Sequence, residues 1–68
     1  MMPVVNVKIV KGRTVEQKRN LARAVTDAVV QTIDVKPDAV WVLIEEYEKE
    51  NWAAGGELYS DRIARAPK

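Results

Sequence analysis

Apolar and polar residues alternate at the start of the chain, with Val5, Val7 and Ile9 on one side and Val4, Asn6, Lys8 and Val10 on the other. This two-residue period predicts a half-buried strand over 3–10. Pro3 suits its first position, where a missing N–H removes no interior ladder bond. Lys11, Gly12 and Arg13 end the alternation, and Thr14-Val15-Glu16-Gln17 reads as a capping box with Thr14 as N-cap and Gln17 at N3. Beyond it Leu21, Val25, Ala28, Val29 and Ile33 recur at three- and four-residue spacing among Lys18, Arg19, Arg23 and Asp27, which predicts an amphipathic helix. The helix is expected to stop near Asp34, because Pro37 disfavours helical geometry at Lys36.

A second strand is predicted over 40–47. Val40, Val42 and Ile44 share one face and Trp41 and Leu43 the other, so one side is expected to meet the helix and the other a second chain. Gly55-Gly56 marks a turn, and the stretch from Ser60 to Lys68 reads as solvated, with no element assigned. The strand-helix-strand order favours a parallel pair joined by a right-handed crossover, and the fold class is expected to be α+β. Two strands and one helix cannot bury both sheet faces. Each sheet is therefore expected to be completed by oligomerisation, and a site at the strand starts to fall at a chain boundary.

Composition narrows the picture. The 68 residues contain no cysteine and no histidine. A single domain of this size, 1–68, sits near the lower limit for one core, and disulfides and cysteine or histidine zinc sites are excluded as supports. No metal or cofactor is expected, and a homo-oligomer is the remaining support. Eleven basic and ten acidic residues give a net charge of +1, interspersed along the chain. That pattern argues against nucleic acid and against a polybasic membrane anchor. No apolar run approaches the ~20 residues of a membrane span, and Lys8 interrupts the amino-terminal run before it resembles a secretory signal. A soluble, cytoplasmic protein is expected.

Without histidine, the proton carriers near neutral pH are an amine with a lowered pKa or a carboxylate with a raised one. The ring nitrogen of Pro3, freed from a preceding peptide bond, is a secondary amine that accepts and returns a proton. Burial and nearby cations disfavour its protonated form and bring its pKa towards neutrality. With Met1 and Met2 attached the same nitrogen is an amide. A chain translated from Met1 is expected to keep both methionines, whereas a start at Met2 exposes Pro3. The plain alternative is that Pro3 only begins an edge strand. Glu45 and Glu46 point to opposite faces of a strand and so do not form a dyad.

Pro3 followed by an apolar strand, Gly12-Arg13, Glu16-Gln17-Lys18 in the first helical turn, and Gly55-Gly56-Glu57-Leu58 near the end stand at a gap-free spacing. From Pro3 to about Arg62 the chain resembles the short-chain 4-oxalocrotonate tautomerase family of the tautomerase superfamily. The resemblance implies a β-α-β tautomerase fold with a C-terminal hairpin or turn, and a homohexamer built from dimers. It implies an isomerase that moves a proton in a small oxo-acid or its dienol, of the kind found in aromatic hydrocarbon catabolism. Pro3 would be the general acid/base and Arg13 the ligand of a substrate carboxylate in a neighbour's site.

Trp52 falls where the family usually has phenylalanine, as a wall that lowers the proline pKa and covers the substrate. Val10 and Tyr47 fall at apolar lining positions. Tyr47 adds a hydroxyl that is either a donor to a developing enolate or part of an interface. Trp41 departs from the pattern, since the family usually has a second arginine there. An indole offers one neutral N–H in place of a bidentate cation, which points either to a substrate other than the usual dicarboxylate or to less efficient handling of it. Lys8, Lys11 and Lys36 are the cations available to replace it. Two further readings stay open: a hydratase or dehalogenase of an unsaturated acid, which needs a carboxylate to activate water, and a non-catalytic or small-molecule-binding member in which Pro3 remains an amide.

Overall fold

Strand β1 (Val4–Val10) lies parallel to β2 (Trp41–Tyr47), in a register that sets Val4 beside Trp41, Lys8 beside Glu45 and Val10 beside Tyr47. The computed structural model that shows this describes residues 2–65. Met1 and residues 66–68, the end of the stretch expected to be solvated, lie outside the described residues. Both strands begin one residue later than the alternation predicts, at Val4 and Trp41. Pairing still reaches Pro3, whose carbonyl accepts the Trp41 N–H at 3.0 Å.

Helix α1 (Val15–Ile33) makes the crossover. Its capping box is complete: the Thr14 hydroxyl accepts the Gln17 N–H at 3.1 Å and the Gln17 side chain accepts the Thr14 N–H at 2.9 Å. The helix stops at Asp34, as expected, through a cap in the left-handed region (φ 57°) whose N–H donates to the Val30 carbonyl. Pro37 acts later, opening a 3₁₀ turn over Pro37–Ala39. The half-buried stripe runs through Leu21, Ala22, Val25, Thr26, Val29 and Val30. Ala28 and Ile33, assigned to the apolar face from their spacing, are exposed: at about 100° per residue Ala28 falls just beyond the edge of that stripe, whereas Ile33 falls within it but is the last residue of the helix. At its start α1 is tied to the sheet by Lys18 and Glu46, 2.7 Å apart, with each side chain 28% exposed.

After a 3₁₀ turn at Lys49–Asn51, strands β3 (Ala53–Ala54) and β4 (Glu57–Leu58) form a small hairpin. Its two-residue loop is Gly55-Gly56, with φ of 61° and 83°. Positive φ at both central positions is the geometry that matches the twist of the paired strands and that side chains resist. The Tyr59 N–H extends the ladder to the Trp52 carbonyl at 2.7 Å.

Residues Tyr59–Arg65 form a second helix, α2, which runs into the stretch from Ser60 where the sequence pattern predicts no element. Asp61 to Arg65 are exposed, in keeping with the solvated expectation. Seven residues span two turns, too short for an apolar period to show. The start of the helix is half-buried at Tyr59 and Ser60, and Glu57 accepts from Arg62 at 3.2 Å and from Arg65 Nη2 at 2.8 Å.

The helix α1 covers one side of the sheet only. On the other, Val4, Trp41 and Leu43 are 61%, 53% and 47% exposed, and among the described residues no side chain is fully buried. One copy of the chain leaves its apolar surface largely in water, where each square ångström costs about 25 cal/mol relative to burial.

Candidate active site

Seven paired residues at a rise of about 3.3 Å separate the two ends of the sheet by about 20 Å. Pro3 and Trp41 mark the strand starts, while Val10 and Tyr47 mark the strand ends. Arg13 follows Val10 by three residues, and the Lys11 N–H donates to the Tyr47 carbonyl at 2.9 Å. Pro3 and Arg13 flank β1 and so lie at opposite ends of the sheet, and the parallel register places Tyr47 at the end where Arg13 follows. A single chain brings the expected site residues into separate groups.

Pro3 is half-buried, joined to Trp41 through the backbone bond described above. Met2 precedes it and is 61% exposed. In this covalent form the Pro3 nitrogen is an amide.

Arg13 leaves the sheet after Gly12, whose φ of 130° lets the backbone turn from strand to helix cap. It lines a cavity of about 180 Å³ with Ile9, Gln17, Lys18 and Leu21. Ile9 and Leu21 give this space an apolar floor. Lys18 is engaged by Glu46, whereas Arg13 has no ion-pair partner among the described residues. An unpaired guanidinium over an apolar floor is suited to a carboxylate.

The third group lies at the strand ends, on the sheet face away from α1. The rings of Tyr47 and Trp52 meet edge to face, with centroids 5.9 Å apart and planes at 63°. Val10 stands beside Tyr47 in the register. The Tyr47 hydroxyl donates to Glu45 Oε2 at 2.7 Å. That bond is the main reason why the Glu45 carboxyl lies below its ordinary range, with Asn6 and Lys8 adding to it; the same bond, helped by burial and by the Glu45 charge, raises the phenol. In this chain the hydroxyl hydrogen is therefore committed to Glu45 rather than turned outward to an enolate.

The carboxylates behave as the alternation predicts. Glu46 faces α1 and pairs with Lys18, while Glu45 faces the other side. Of the three lysines considered as replacement cations, Lys8 lies 3.8 Å from Glu45 and Lys11 lies 2.6 Å from Glu48. The hydrogen bond from Lys11 to Glu48, and then the Glu48 charge, raise the Lys11 pKa. Lys36, just before the 3₁₀ turn, has no ion-pair partner among the described residues. Glu45 is the residue that sequence reasoning missed as part of this group. Its signal was present in the two-residue spacing to Tyr47, which puts both on one face.

Among the described residues no helix is long and apolar enough to cross a membrane. The family model of the tautomerase enzymes matches residues 3–62. The chain is 47% identical over 60 residues to the 2-hydroxymuconate tautomerase of Bacillus subtilis, covering 88% of this chain and 97% of that relative. Its fold is similar to a 4-oxalocrotonate tautomerase isozyme from Methylibium petroleiphilum, with a TM-score of 0.91, 45% identity and coverage of 94% of this chain and all of that one. It is similar also to a heterohexamer 4-oxalocrotonate tautomerase from Chloroflexus aurantiacus, with a TM-score of 0.85, 32% identity and coverage of 88% and 97%. Gap-free elements, a matching fold and a family match across most of its length agree: the chain belongs to the tautomerase family and is a 4-oxalocrotonate tautomerase-like isomerase.

Proposed function

We propose that the chain interconverts a small oxo-acid and its dienol, with the Pro3 nitrogen as general acid/base in chains that begin at Pro3. The observation that carries this reading is the separation of Pro3 from Arg13, Tyr47 and Trp52 by the length of the sheet. Such a division makes sense where the strand starts of one copy meet the strand ends of another. The uncovered apolar side chains Val4, Trp41 and Leu43 favour the same assembly. A homohexamer built from dimers fits it, and the structurally similar Chloroflexus aurantiacus protein is a heterohexamer.

In such a site the free amine of Pro3 takes the proton of the enol hydroxyl. The C–O bond becomes a carbonyl, and the electron pair of the diene moves to carbon. The ammonium then returns its proton to that carbon, so the nitrogen ends as it began. Arg13 holds the substrate carboxylate, and its charge opposes protonation of the amine. Trp52, with Tyr47 and Val10, walls off water and disfavours the ammonium by desolvation. Trp41 adjoins Pro3 and adds bulk without charge. A cytoplasmic role in the breakdown of ring-opened aromatic acids is consistent with this chemistry.

The hydratase and dehalogenase readings need a carboxylate free to take a proton from water. Glu45, the acidic residue beside the ring wall, has its affinity for protons lowered by Tyr47, which favours the isomerase reading. The test compares two chains verified by intact mass, one beginning at Pro3 and one retaining Met2, in the ketonisation of 2-hydroxypenta-2,4-dienoate, a monocarboxylic dienol. Activity is expected only in the first. Equal rates in both would overturn the proline base.

A further inference from the structure

We propose that Glu45 sets the charge preference of the substrate cleft, so that the part of the substrate against the Tyr47 and Trp52 rings is uncharged and the preferred substrates are monocarboxylic acids. This rests on the reading that the two rings line the cleft. The Glu45 carboxylate receives the Tyr47 hydroxyl at 2.7 Å, on the sheet face away from α1. Its negative charge therefore stands beside one of the wall residues, on the same sheet face. Because the hydroxyl hydrogen already goes to Glu45, it does not compensate a second anion brought to the same wall.

The nearby cation offsets only part of this charge. Lys8 lies 3.8 Å from Glu45, and the two side chains are 55% and 41% exposed. A pair this open to water is weak and screened. Arg13 remains as a cation for one carboxylate, and Trp41 offers none for another. What the wall presents instead is two aromatic rings at 5.9 Å, edge to face. An unsaturated, uncharged tail suits that surface, and a carboxylate placed there meets repulsion in a partly desolvated space.

The test measures binding rather than turnover, so that it does not depend on the proline base. 2-Oxopentanoate and 2-oxoadipate differ by one terminal carboxylate, and their binding is followed through tryptophan fluorescence of the assembled protein. The native chain is expected to bind 2-oxopentanoate more tightly. Glu45→Gln is expected to tighten 2-oxoadipate about three- to tenfold relative to 2-oxopentanoate, the change that loss of one nearby screened charge brings. An unchanged ratio overturns the proposal. Should the variant fail to assemble, the native chain decides: the preference should narrow as ionic strength rises, and a preference independent of salt overturns the proposal. An inactive chain that keeps the charge preference would count against Pro3 as base and leave Glu45 in place.

Discussion

The N–H of Trp41 donates to the carbonyl of Pro3 at 3.0 Å, so the residue beside the proposed base is fixed to it by the backbone, whatever side chain it carries. The indole is 53% exposed on the sheet face away from α1. Position 41 therefore adjoins Pro3 without supporting a core within the chain.

Trp41→Arg is expected to fold and to add a cation at the strand-start end of the site. In a chain beginning at Pro3, kcat/KM for a dicarboxylic enol should rise about three- to tenfold more than for a monocarboxylic one, as expected for one added charge at an effective dielectric of about 20. Steady-state kinetics with both substrates on each protein check this, because differences in active fraction cancel in the ratio. Equal shifts would mean that the side chain does not face the site.

Arg13→Ala should lower kcat/KM by about 30- to 3000-fold, the equivalent of roughly 2–5 kcal/mol for loss of one partner in a desolvated charge pair. Arg13 has no ion-pair partner among the described residues, so little stability should be lost with it. Urea unfolding alongside the kinetics separates the two effects. An unchanged kcat/KM would remove Arg13 from the site.

Leu43→Glu tests the uncovered sheet face. Leu43 is 47% exposed in one copy, so a carboxylate there costs little unless a second copy covers it. Sedimentation of the native chain at micromolar concentration should give several times the monomer mass, and the variant should shift to smaller species. A folded native monomer would sink the idea of a site shared between copies.

Stability should depend on pH at both ends. The Glu45 carboxyl is lowered, chiefly by the Tyr47 hydroxyl, and that of Glu57 is lowered, chiefly by Arg65. Each contributes stability present above the ordinary carboxylate pKa, about 4.3, and lost as pH falls through the lowered folded value. The raised Tyr47 phenol acts oppositely, contributing below about 10 and losing that contribution as pH rises through its folded value. Unfolding midpoints measured across pH should form a plateau between these limbs. Glu45→Gln should weaken both limbs, and an unchanged profile would show that the Glu45 and Tyr47 bond is not kept in solution.

Gly56→Ala should destabilise the hairpin by about 1 kcal/mol, since φ at this position is 83° and a side chain resists it. The Tyr59 N–H bond to the Trp52 carbonyl ties that hairpin to the aromatic wall. The environment of Trp52 should therefore shift with it. Tryptophan fluorescence in a Trp41→Phe background reports that change.

The elements legible in the sequence are those written in local patterns. Alternation places β1 and β2 to within one residue, because successive side chains on a strand must face opposite ways. Thr14 and Gln17 announce the start of α1, and Gly55-Gly56 announces the hairpin loop, because each satisfies a requirement of its own few residues. The separation of Glu45 from Glu46 follows from the same alternation. Other features depend on partners distant along the chain. Helix α2 is too short to show a period, and its arginines Arg62 and Arg65 meet Glu57. The commitment of the Tyr47 hydroxyl to Glu45, and of Lys11 to Glu48, is chosen by distances that a pattern of residue types does not encode. Most consequential is the parallel register of β1 and β2. The family resemblance assigns Pro3 and Tyr47 to one site, but only the pairing of strands reveals that one chain holds them about 20 Å apart, because both strands run the same way and six rises of about 3.3 Å lie between their ends.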